Sequence, residues 1–413
     1  MSTILHLGLG AFHRAHQAAF VHDAGGWSIE AVSMRSSRLA DALAAQGHRY
    51  HLLIRDPGGP VAKRIDAIRA TRARPGHAQA VAARMADPDV GMVTLTITEK
   101  GYDGPTPLLV ADGLDRRRRA GLPPIAVLSC DNLPANGAAL RARVEARASP
   151  AARGYLADCA FPSSMVDRIT PATTQATIDA VERLTGLRDP CAVETEPFRQ
   201  WVVERFDAPR PDWTAAGVET VADVAPWEAM KLRLLNGAHS TLAYAGALAG
   251  LSLIRDAVAD PVLAALARAV MAGAARTLPP GPDSAAYAEA LMRRFANPAI
   301  DHRLLQIATD GSQKLPQRLL APAAEGAGAA HAFAVAAWLV FLGGRAEDGA
   351  ALPLDDPEAA RLRGAHRAAD LRAVLPRTAL ADAAFAEAVD GWAARIRLEG
   401  VRPAARALLN NGG

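Results

Sequence analysis

Three side chains that could act on a carbonyl group lie close together near the middle of the chain: Lys231, Asn236 and His239. Pro226 suits the first turn of a helix, because its missing N–H would have no partner there. On an α-helix from Pro226, Asn236 and His239 lie about 140° and 80° around the axis from Lys231, within about 12 Å of helix length. All three can then face one cavity. An amine, an amide and an imidazole in one space suit a carbonyl oxygen that gains negative charge.

Lysine is scarce in this sequence. Among its 46 basic residues, the lysines are Lys63, Lys100, Lys231 and Lys314, and the rest are arginines. Arginine stays protonated in proteins, whereas a buried lysine can lose its proton and act as a base. A genomic preference for arginine could explain the composition alone, but the position of Lys231 near an amide and an imidazole favours a chemical role.

Length and composition restrict the classes of protein to consider. The 413 residues predict two domains. A content of 50% hydrophobic and 22% charged residues is typical of a globular protein. The net charge of +3 gives no reason to expect nucleic acid or an anionic membrane as a partner. The most continuous apolar run, residues 332–342, is too short to cross a bilayer.

The cysteines are Cys130, Cys159 and Cys191. Their odd number and wide spacing predict neither a disulfide framework nor a zinc site. No basic segment precedes the first strand-like residues, so we expect no signal peptide. These features predict a cytoplasmic protein without a metal ion. We expect a monomer or a small homo-oligomer, although the sequence does not disclose which.

The N-terminus has the pattern of a dinucleotide-binding unit. Residues 3–7 predict a buried strand, and Gly8 and Gly10 follow it before a predicted helix. Such glycines permit a tight turn and close backbone approach, and the helix N-terminus presents free N–H groups to a pyrophosphate. His13 stands where the third glycine of the fingerprint is expected.

Residues 27–33 predict the second strand, whose end normally carries a carboxylate for the coenzyme ribose. Glu30 has the right spacing but falls within the strand, and Arg35 follows the strand end, where it could accept a 2′-phosphate. These residues do not decide between the two coenzymes; NAD is the expected coenzyme, with NADP as an alternative. The predicted coenzyme-binding residues are Gly8, Gly10, Ala11, Phe12 and Arg35.

Residues 92–98 and 125–129 predict further parallel strands, with a helix at 114–120 between them. Polar groups follow each strand, including Glu99 and Asn132, and ligands gather at the carboxyl ends of parallel strands. We expect the arginines of residues 116–119 to form a solvated helix face. The sequence thus predicts an α/β Rossmann-type domain over residues 1–222 and a mostly α-helical domain over residues 223–413.

One segment of the helical part is unusually polar. Residues 297–303 and 310–318 include Arg303, Lys314 and Arg318. A basic pocket of these three would suit the carboxylate of a sugar acid, which arginine can bind through two parallel hydrogen bonds. The alternative is a polar loop with surface ion pairs, and the sequence favours neither.

The chain resembles the polyol-specific long-chain dehydrogenases, the mannitol dehydrogenase family, over nearly its whole length. The likeness depends on residues 8–17, 96–102, 129–133, 166–171 and 231–239. The resemblance implies metal-independent, NAD(P)-dependent oxidation of sugar alcohols or reduction of keto sugars.

The resemblance also implies roles for individual residues. Lys231 would be the general acid/base, Asn132 and Asn236 would polarise the carbonyl, and His239 would orient the substrate. Glu99 would line a proton path, and Asp167 would bind substrate.

Residues 310–318 are most similar to the fructuronate reductases of this family, which implies reduction of D-fructuronate to D-mannonate. Mannitol 2-dehydrogenase and tagaturonate reductase activities are alternatives within the family. A nucleotide-binding regulator without turnover is an alternative of another class. A zinc-dependent alcohol dehydrogenase is disfavoured, because no cysteines and histidines have ligand spacing.

Overall fold

A computed structural model describes residues 2–375 and 378–411 of the chain. The chain divides between Ala225 and Pro226 into two compact units. This division lies three residues beyond the boundary predicted from the sequence. The last two residues of the predicted second domain lie outside the described residues.

The first unit contains a five-stranded parallel sheet in the order β5-β2-β1-β6-β7, counted over the described residues. Its strands are β1 (Ser2–Leu7), β2 (Trp27–Ser33), β5 (Ile68–Ala73), β6 (Val90–Leu95) and β7 (Ala126–Ser129). Side chains of β1 alternate between the two faces, so Ile4 enters one hydrophobic core and Leu5 and Leu7 enter the other. This is the Rossmann-like architecture that the sequence predicts.

Two smaller sheets, which the sequence patterns did not predict in detail, accompany the main one. Their strands are β3 (Tyr50–Ile54), β4 (Val61–Ile65), β8 (Ser164–Asp167), β9 (Val193–Thr195), β10 (Gln200–Glu204) and β11 (Glu219–Val221). One sheet has the order β4-β3-β9 and the other β11-β10-β8. The second carries Asp167 at the end of β8.

Helices cover both faces of the main sheet, as parallel strands require. The helices of the first unit are α1 (Ala11–Ala15), α2 (Gln17–Ala24), α3 (Arg38–Ala45), α4 (Ala78–Arg84), α5 (Glu99–Tyr102), α6 (Thr106–Arg119), α7 (Asn136–Glu145), α8 (Arg153–Asp158) and α9 (Gln175–Thr185), with a 3₁₀ turn at Pro150–Ala152.

Two local predictions need correction. The strand predicted over residues 92–98 covers Val90–Leu95, and Thr98, with a positive φ of 61°, lies outside the extended conformation of a strand. The arginine run on α6 is not wholly solvated. Arg117 is 3% exposed and donates hydrogen bonds to the carbonyls of Pro123 and Met85, since it shares the buried face of the helix with Gly113.

The second unit is helical, which confirms the predicted fold class. Its helices are α10 (Ala225–Met230), α11 (Gly237–Leu248), α12 (Ile254–Ala259), α13 (Pro261–Ala275), α14 (Ser284–Phe295), α15 (Leu304–Ile307), α16 (Gly311–Leu315), α17 (Ala321–Ala324), α18 (Ala329–Phe341), α19 (Ala359–Leu362), α20 (Ala368–Val374), α21 (Ala383–Glu399) and α22 (Val401–Asn411). A 3₁₀ turn covers Ala379–Ala381, and π-helical turns cover Lys231–Asn236 and Pro316–Leu320.

Helix α11 is buried along its whole length and packs against α13 and α18. A helix with buried residues all round lies in the centre of a bundle. It therefore holds Asn236, at its N-cap, and His239, in its first turn, on a firmly packed element. Over the described residues, no helix has both the length and the apolar character needed to cross a membrane.

Candidate functional site

The glycine turn after β1 is built for close backbone approach. The N–H groups of Gly8 and Leu9 both donate to the carbonyl of Val32, which fixes the turn against β2. Gly8 has a φ of +120°, and a Cβ there would lie 1.9 Å from the carbonyl oxygen of Thr96. Only glycine fits that position. Gly10 then forms the N-cap of α1 in an extended conformation, as the sequence predicts.

A cavity of about 510 Å³ opens at the glycine turn, within the usual size range of ligand sites. Gly8, Gly10 and Arg35 line it, whereas the predicted Ala11 and Phe12 are not among its lining residues. The further lining residues are Leu9, Ser33, Met34, Ser36, Leu39, Arg74, Thr96, Ile97, Thr98, Lys100, Gly101, Gly104, Pro105 and Thr106. Because Gly8 has no Cβ, the carbonyl of Thr96 packs directly against the glycine turn, and both residues line this cavity.

The position of the missing third glycine is occupied by buried aromatic packing. His13 is fully buried and stacks on His6 with 3.4 Å between the ring centroids. Phe12 is partly buried and stacks on His16 at 5.0 Å. Burial lowers the pKa of His13 well below its usual value, so the ring is neutral near pH 7. These rings shape the helix behind the turn.

The ribose end of the cavity carries arginines and no carboxylate among its described lining residues. Glu30 lies within β2, is 5% exposed, and forms ion pairs with Arg72 and Arg84. Its carboxylate is therefore committed to the protein. Arg35 is exposed, and Arg74 is held beside it by hydrogen bonds from its N–H to the carbonyl of Ser33 and from Nε to that of Met34.

Predicted residues of the first unit also lie at the carboxyl ends of its strands. Glu99 is exposed and begins α5, after β6. Asn132 is exposed in the connection that follows β7. Asp167 is 4% exposed at the end of β8, where its backbone pairs with Gln200. Asp131, next to Asn132, is buried and accepts hydrogen bonds from two backbone amides of the β6–α5 connection.

In the second unit, Lys231 and Asn236 lie at the two ends of a π-helical turn. The α-helical angles predicted from the sequence are therefore wrong for this segment. A π-helix bonds residue i to residue i+5, so Asn236 lies one turn above Lys231 instead of far around the axis. Lys231 is half-buried and Asn236 is 9% exposed. The wider turn brings the amine and the amide onto one side of the helix.

His239 lies in the first turn of α11, in apolar and cationic surroundings. It is 7% exposed and stacks on Phe295, with 4.3 Å between the ring centroids, and meets His302 edge-on at 5.2 Å. Burial, with the positive charges of Arg318 and Arg294, lowers the pKa of His239 well below its usual value. Its buried Nε2 has no hydrogen-bond partner among the described residues. A neutral imidazole with one unused nitrogen suits a ligand hydroxyl.

Arg318 lies beside this histidine on the second π-helical turn. Its Nη1 donates to Ser240 Oγ at 3.1 Å, and no carboxylate of the described residues forms an ion pair with it. Burial lowers the pKa of Arg318 to about 10, so the guanidinium stays charged at neutral pH. Lys314 donates to the carbonyl and hydroxyl oxygens of Thr309, and burial together with Arg318 lowers its pKa.

Of the predicted basic pocket, Arg303 is placed differently from the other two. It is exposed, its backbone forms a bridge with Leu253, and no hydrogen bond joins it to Lys314 or Arg318. The structure thus brings Arg318 near His239, and Lys314 near Arg318.

Sequence reasoning did not single out several residues of both sites: Arg74, Thr98 and Asp131 in the first unit, and Ser240, Arg294, Phe295 and His302 in the second. His302 lay in the polar segment that the sequence marked. Thr98 and Asp131 lay in residues 96–102 and 129–133, on which the family resemblance depends. The other four give no local signal, because their roles arise from strand register and helix packing.

Family models match both units. The model of the mannitol dehydrogenase Rossmann domain matches residues 2–215, and the model of the mannitol dehydrogenase C-terminal domain matches residues 223–391.

Individual proteins are similar over most of their length. The uncharacterized oxidoreductase YeiQ of Escherichia coli K12 is 40% identical over 406 residues, which cover 88% of this chain and 83% of that protein. D-mannonate oxidoreductase of the same organism is 38% identical over 403 residues, covering 86% and 83%. The structure of Pseudomonas fluorescens mannitol 2-dehydrogenase with NAD and D-mannitol matches with a TM-score of 0.84 and 32% identity, covering 99% of this chain and 94% of that one.

Proposed function

Because the chain belongs to the mannitol dehydrogenase family, we propose that it reduces a keto sugar acid, D-fructuronate, to D-mannonate with a nicotinamide coenzyme. Its relatives are polyol and sugar-acid dehydrogenases, and the chain is an oxidoreductase acting on CH–OH groups. The observation that carries the proposal is the π-helical turn that aligns Lys231 with Asn236, followed by His239.

Lys231 is the proposed general acid/base. When bound, a nicotinamide coenzyme supplies or accepts the hydride. In reduction, the protonated amine of Lys231 donates a proton to the substrate oxygen. In oxidation, the neutral amine removes the hydroxyl proton. Asn236, one π-helical turn along, presents an amide N–H that stabilises the charge developing on this oxygen.

Asn132 is the proposed second amide, and it comes from the first unit, on the exposed connection after β7. We propose that its amide, like that of Asn236, polarises the substrate carbonyl. Glu99, exposed at the start of α5, is the proposed end of a proton path to solvent. Asp167, at the end of β8, is proposed to bind substrate hydroxyl groups.

His239 and Arg318 are the proposed substrate-orienting groups of the second unit. The buried Nε2 of His239 can accept from or donate to a sugar hydroxyl, according to its tautomer. Arg318 is charged and half-buried, and no carboxylate of the described residues lies within ion-pair distance of it. A substrate carboxylate would supply that partner. Lys314 adds positive charge beside Arg318, and Arg303 is proposed to lie at the exposed edge of this pocket.

NAD is the proposed coenzyme, as in the bound structure of the Pseudomonas fluorescens relative. A specific observation supports NADP as the alternative: Arg35 and Arg74 line the ribose end of the cavity, and Glu30 is held by other arginines. Arginines accept a 2′-phosphate, whereas a carboxylate accepts the ribose hydroxyls of NAD. Titrating both coenzymes into the unsubstituted chain and Arg35→Ala separates the two. An NADP site would lose NADP affinity selectively.

A kinetic panel tests the substrate. NADH and NADPH are each offered with D-fructuronate, D-tagaturonate and D-fructose, and the loss of absorbance of the reduced coenzyme is followed. We expect the highest kcat/KM with D-fructuronate. Preference for D-fructose would identify a mannitol 2-dehydrogenase, and preference for D-tagaturonate a tagaturonate reductase. Coenzyme binding without turnover of any keto sugar would favour the nucleotide-binding regulator.

A further inference from the structure

One wall of the coenzyme cavity has an unusual backbone conformation. Thr98 lines this cavity together with Thr96 and Ile97, and its φ of 61° with ψ of 164° lies where threonine is rarely found. A β-branched residue in this region is strained, and it persists only where its surroundings enforce the conformation. Thr98 is exposed, so packing of its own side chain does not enforce it.

The carboxylate of Asp131 is the group that enforces this conformation. Its Oδ1 accepts from the N–H of Thr98 at 2.7 Å, and its Oδ2 accepts from the N–H of Ile97 at 3.1 Å. Asp131 itself is 7% exposed, and the hydroxyl of Tyr102 donates to its Oδ2 at 3.3 Å. Burial raises the pKa of Asp131 above its usual value, while the hydrogen bonds from Ile97, Thr98 and Tyr102 act in the opposite direction.

The main chain of Asp131 is fixed as firmly as its side chain. Asn136 Nδ2 donates to the carbonyl of Asp131 at 2.9 Å and to that of Ser164 at 2.7 Å, while Asn136 Oδ1 accepts from the N–H of Ser164. The carbonyl of Asp131 belongs to the peptide bond that begins Asn132. Asp131 therefore joins the cavity wall after β6 to the connection after β7 that carries Asn132.

We propose that Asp131 is a positioning residue of this dehydrogenase: it holds the backbone of Ile97 and Thr98 in the shape that the coenzyme requires, in fixed register with Asn132. The inference rests on the proposed function, because it assigns the cavity to a nicotinamide coenzyme. Asp131 itself acts through two backbone amides and contributes no proton to the reaction.

The test compares Asp131→Asn with Thr98→Gly, singly and together. An asparagine of the same shape keeps one acceptor oxygen but turns an N–H₂ group toward the second amide. Glycine adopts positive φ without strain, so Thr98→Gly reduces the need for the clamp. We expect Asp131→Asn to raise the dissociation constant for NADH at least tenfold in a tryptophan-fluorescence titration. We expect the double variant to bind NADH within about threefold of Thr98→Gly alone.

A matched control is Asp103→Asn. Asp103 is exposed and lies at the C-terminal end of helix α5, which follows Thr98. It should leave the dissociation constant unchanged. Should Asp131→Asn melt too readily to titrate, Tyr102→Phe removes one donor to the same carboxylate, and we expect it to raise the constant about threefold.

Two results overturn the inference. If Asp131→Asn lowers the melting temperature but leaves NADH affinity unchanged, then Asp131 has a structural role only. Equally, failure of Thr98→Gly to restore affinity in the Asp131→Asn background would separate Asp131 from the conformation of Thr98. An unsubstituted chain that binds neither coenzyme overturns the proposed function as well, whereas binding that Asp131→Asn does not alter overturns only the role of Asp131.

Discussion

The coenzyme cavity of the first unit and the polar cluster of the second are built in opposite ways. Main-chain atoms largely shape the cavity: those of the turn at Gly8, of the segment that follows the end of β6, and of Thr98, whose backbone is strained. The cluster of the second unit is shaped by side chains on helices, with His239 stacked on Phe295 and Arg318 bonded to Ser240.

The two units should therefore be sensitive to different kinds of substitution. A main-chain site tolerates many side chains but fails where a Cβ or a lost amide partner changes the backbone path. A side-chain site keeps its fold when one functional group is removed, but loses the chemistry of that group. The following substitutions are chosen to test this contrast, in order of decreasing expected effect.

Lys231→Ala should abolish turnover without affecting coenzyme binding. Removal of a general acid/base costs on the order of 10³-fold in kcat, whereas the coenzyme cavity lies wholly within the first unit. Steady-state kinetics and an NADH titration on the same sample measure both quantities. Lys63→Ala, which removes an ion pair with Asp23, is the control. A loss of NADH affinity that matched the loss of kcat would blur the contrast between the units.

Arg318→Ala should discriminate acids from neutral sugars. A charge-assisted hydrogen bond is worth enough for kcat/KM with D-fructuronate to fall on the order of 100-fold, while kcat/KM with D-fructose falls much less. Arg303→Ala should have a smaller effect of the same sign, since this side chain is exposed. Arg293 is an exposed arginine on α14, and Arg293→Ala should change kcat/KM for neither substrate. Equal losses for the acid and the neutral sugar would remove the carboxylate from the account.

Gly8→Ala should damage the first unit through its backbone. The added Cβ would lie 1.9 Å from a carbonyl oxygen at a φ of +120°, so we expect a loss of more than about 2 kcal/mol in the free energy of unfolding together with weaker NADH binding. The control Gly26→Ala has a positive φ but nothing within 4 Å, and should cost about 1 kcal/mol with NADH affinity unaltered. Similar NADH affinity in both variants would argue against a backbone-built site.

Buried neutral histidines should make the second unit sensitive to acid. His331 is fully buried, neither ring nitrogen has a partner among the described residues, and burial lowers its pKa from 6.5 to about 4. Between these values the unfolded chain binds more protons than the folded chain, so stability falls as pH falls from 6.5 towards 4.

His331→Leu should therefore lose less stability than the unsubstituted chain between pH 7 and pH 5, by about 2 kcal/mol in urea titrations. The control is His366→Leu, at an exposed position, which should leave the pH dependence of stability unchanged. An unchanged dependence in His331→Leu would show that this ring is not the group that titrates.

The sequence predicts features that depend on local spacing, and misses those that depend on register. The strand at residues 27–33 and the glycine turn at Gly8 follow from apolar runs and turn chemistry, and both are confirmed. Arg74 could not be predicted, because it reaches the cavity only through the pairing of β5 with β2, which places its N–H on Ser33.

In the second unit, helix periodicity was likewise insufficient to predict the angles between the site residues. It predicts a helix after Pro226, but the insertion of a π-helical turn at Lys231–Asn236 has no local sequence signal and changes every angle that 3.6 residues per turn implies. The burial of Arg117 likewise depends on which helix face packs inward. The exposed Arg303 precedes α15 and is placed by its backbone bridge with Leu253.

Rescue of Lys231→Ala by added amines tests the central claim most directly, since the claim is that this amine moves the proton that accompanies the hydride. Methylamine and ethylamine should restore D-fructuronate reduction in proportion to their concentration, whereas tetramethylammonium, which carries the charge without a transferable proton, should not. Turnover by Lys231→Ala at the unsubstituted rate, or equal rescue by tetramethylammonium, would contradict the account.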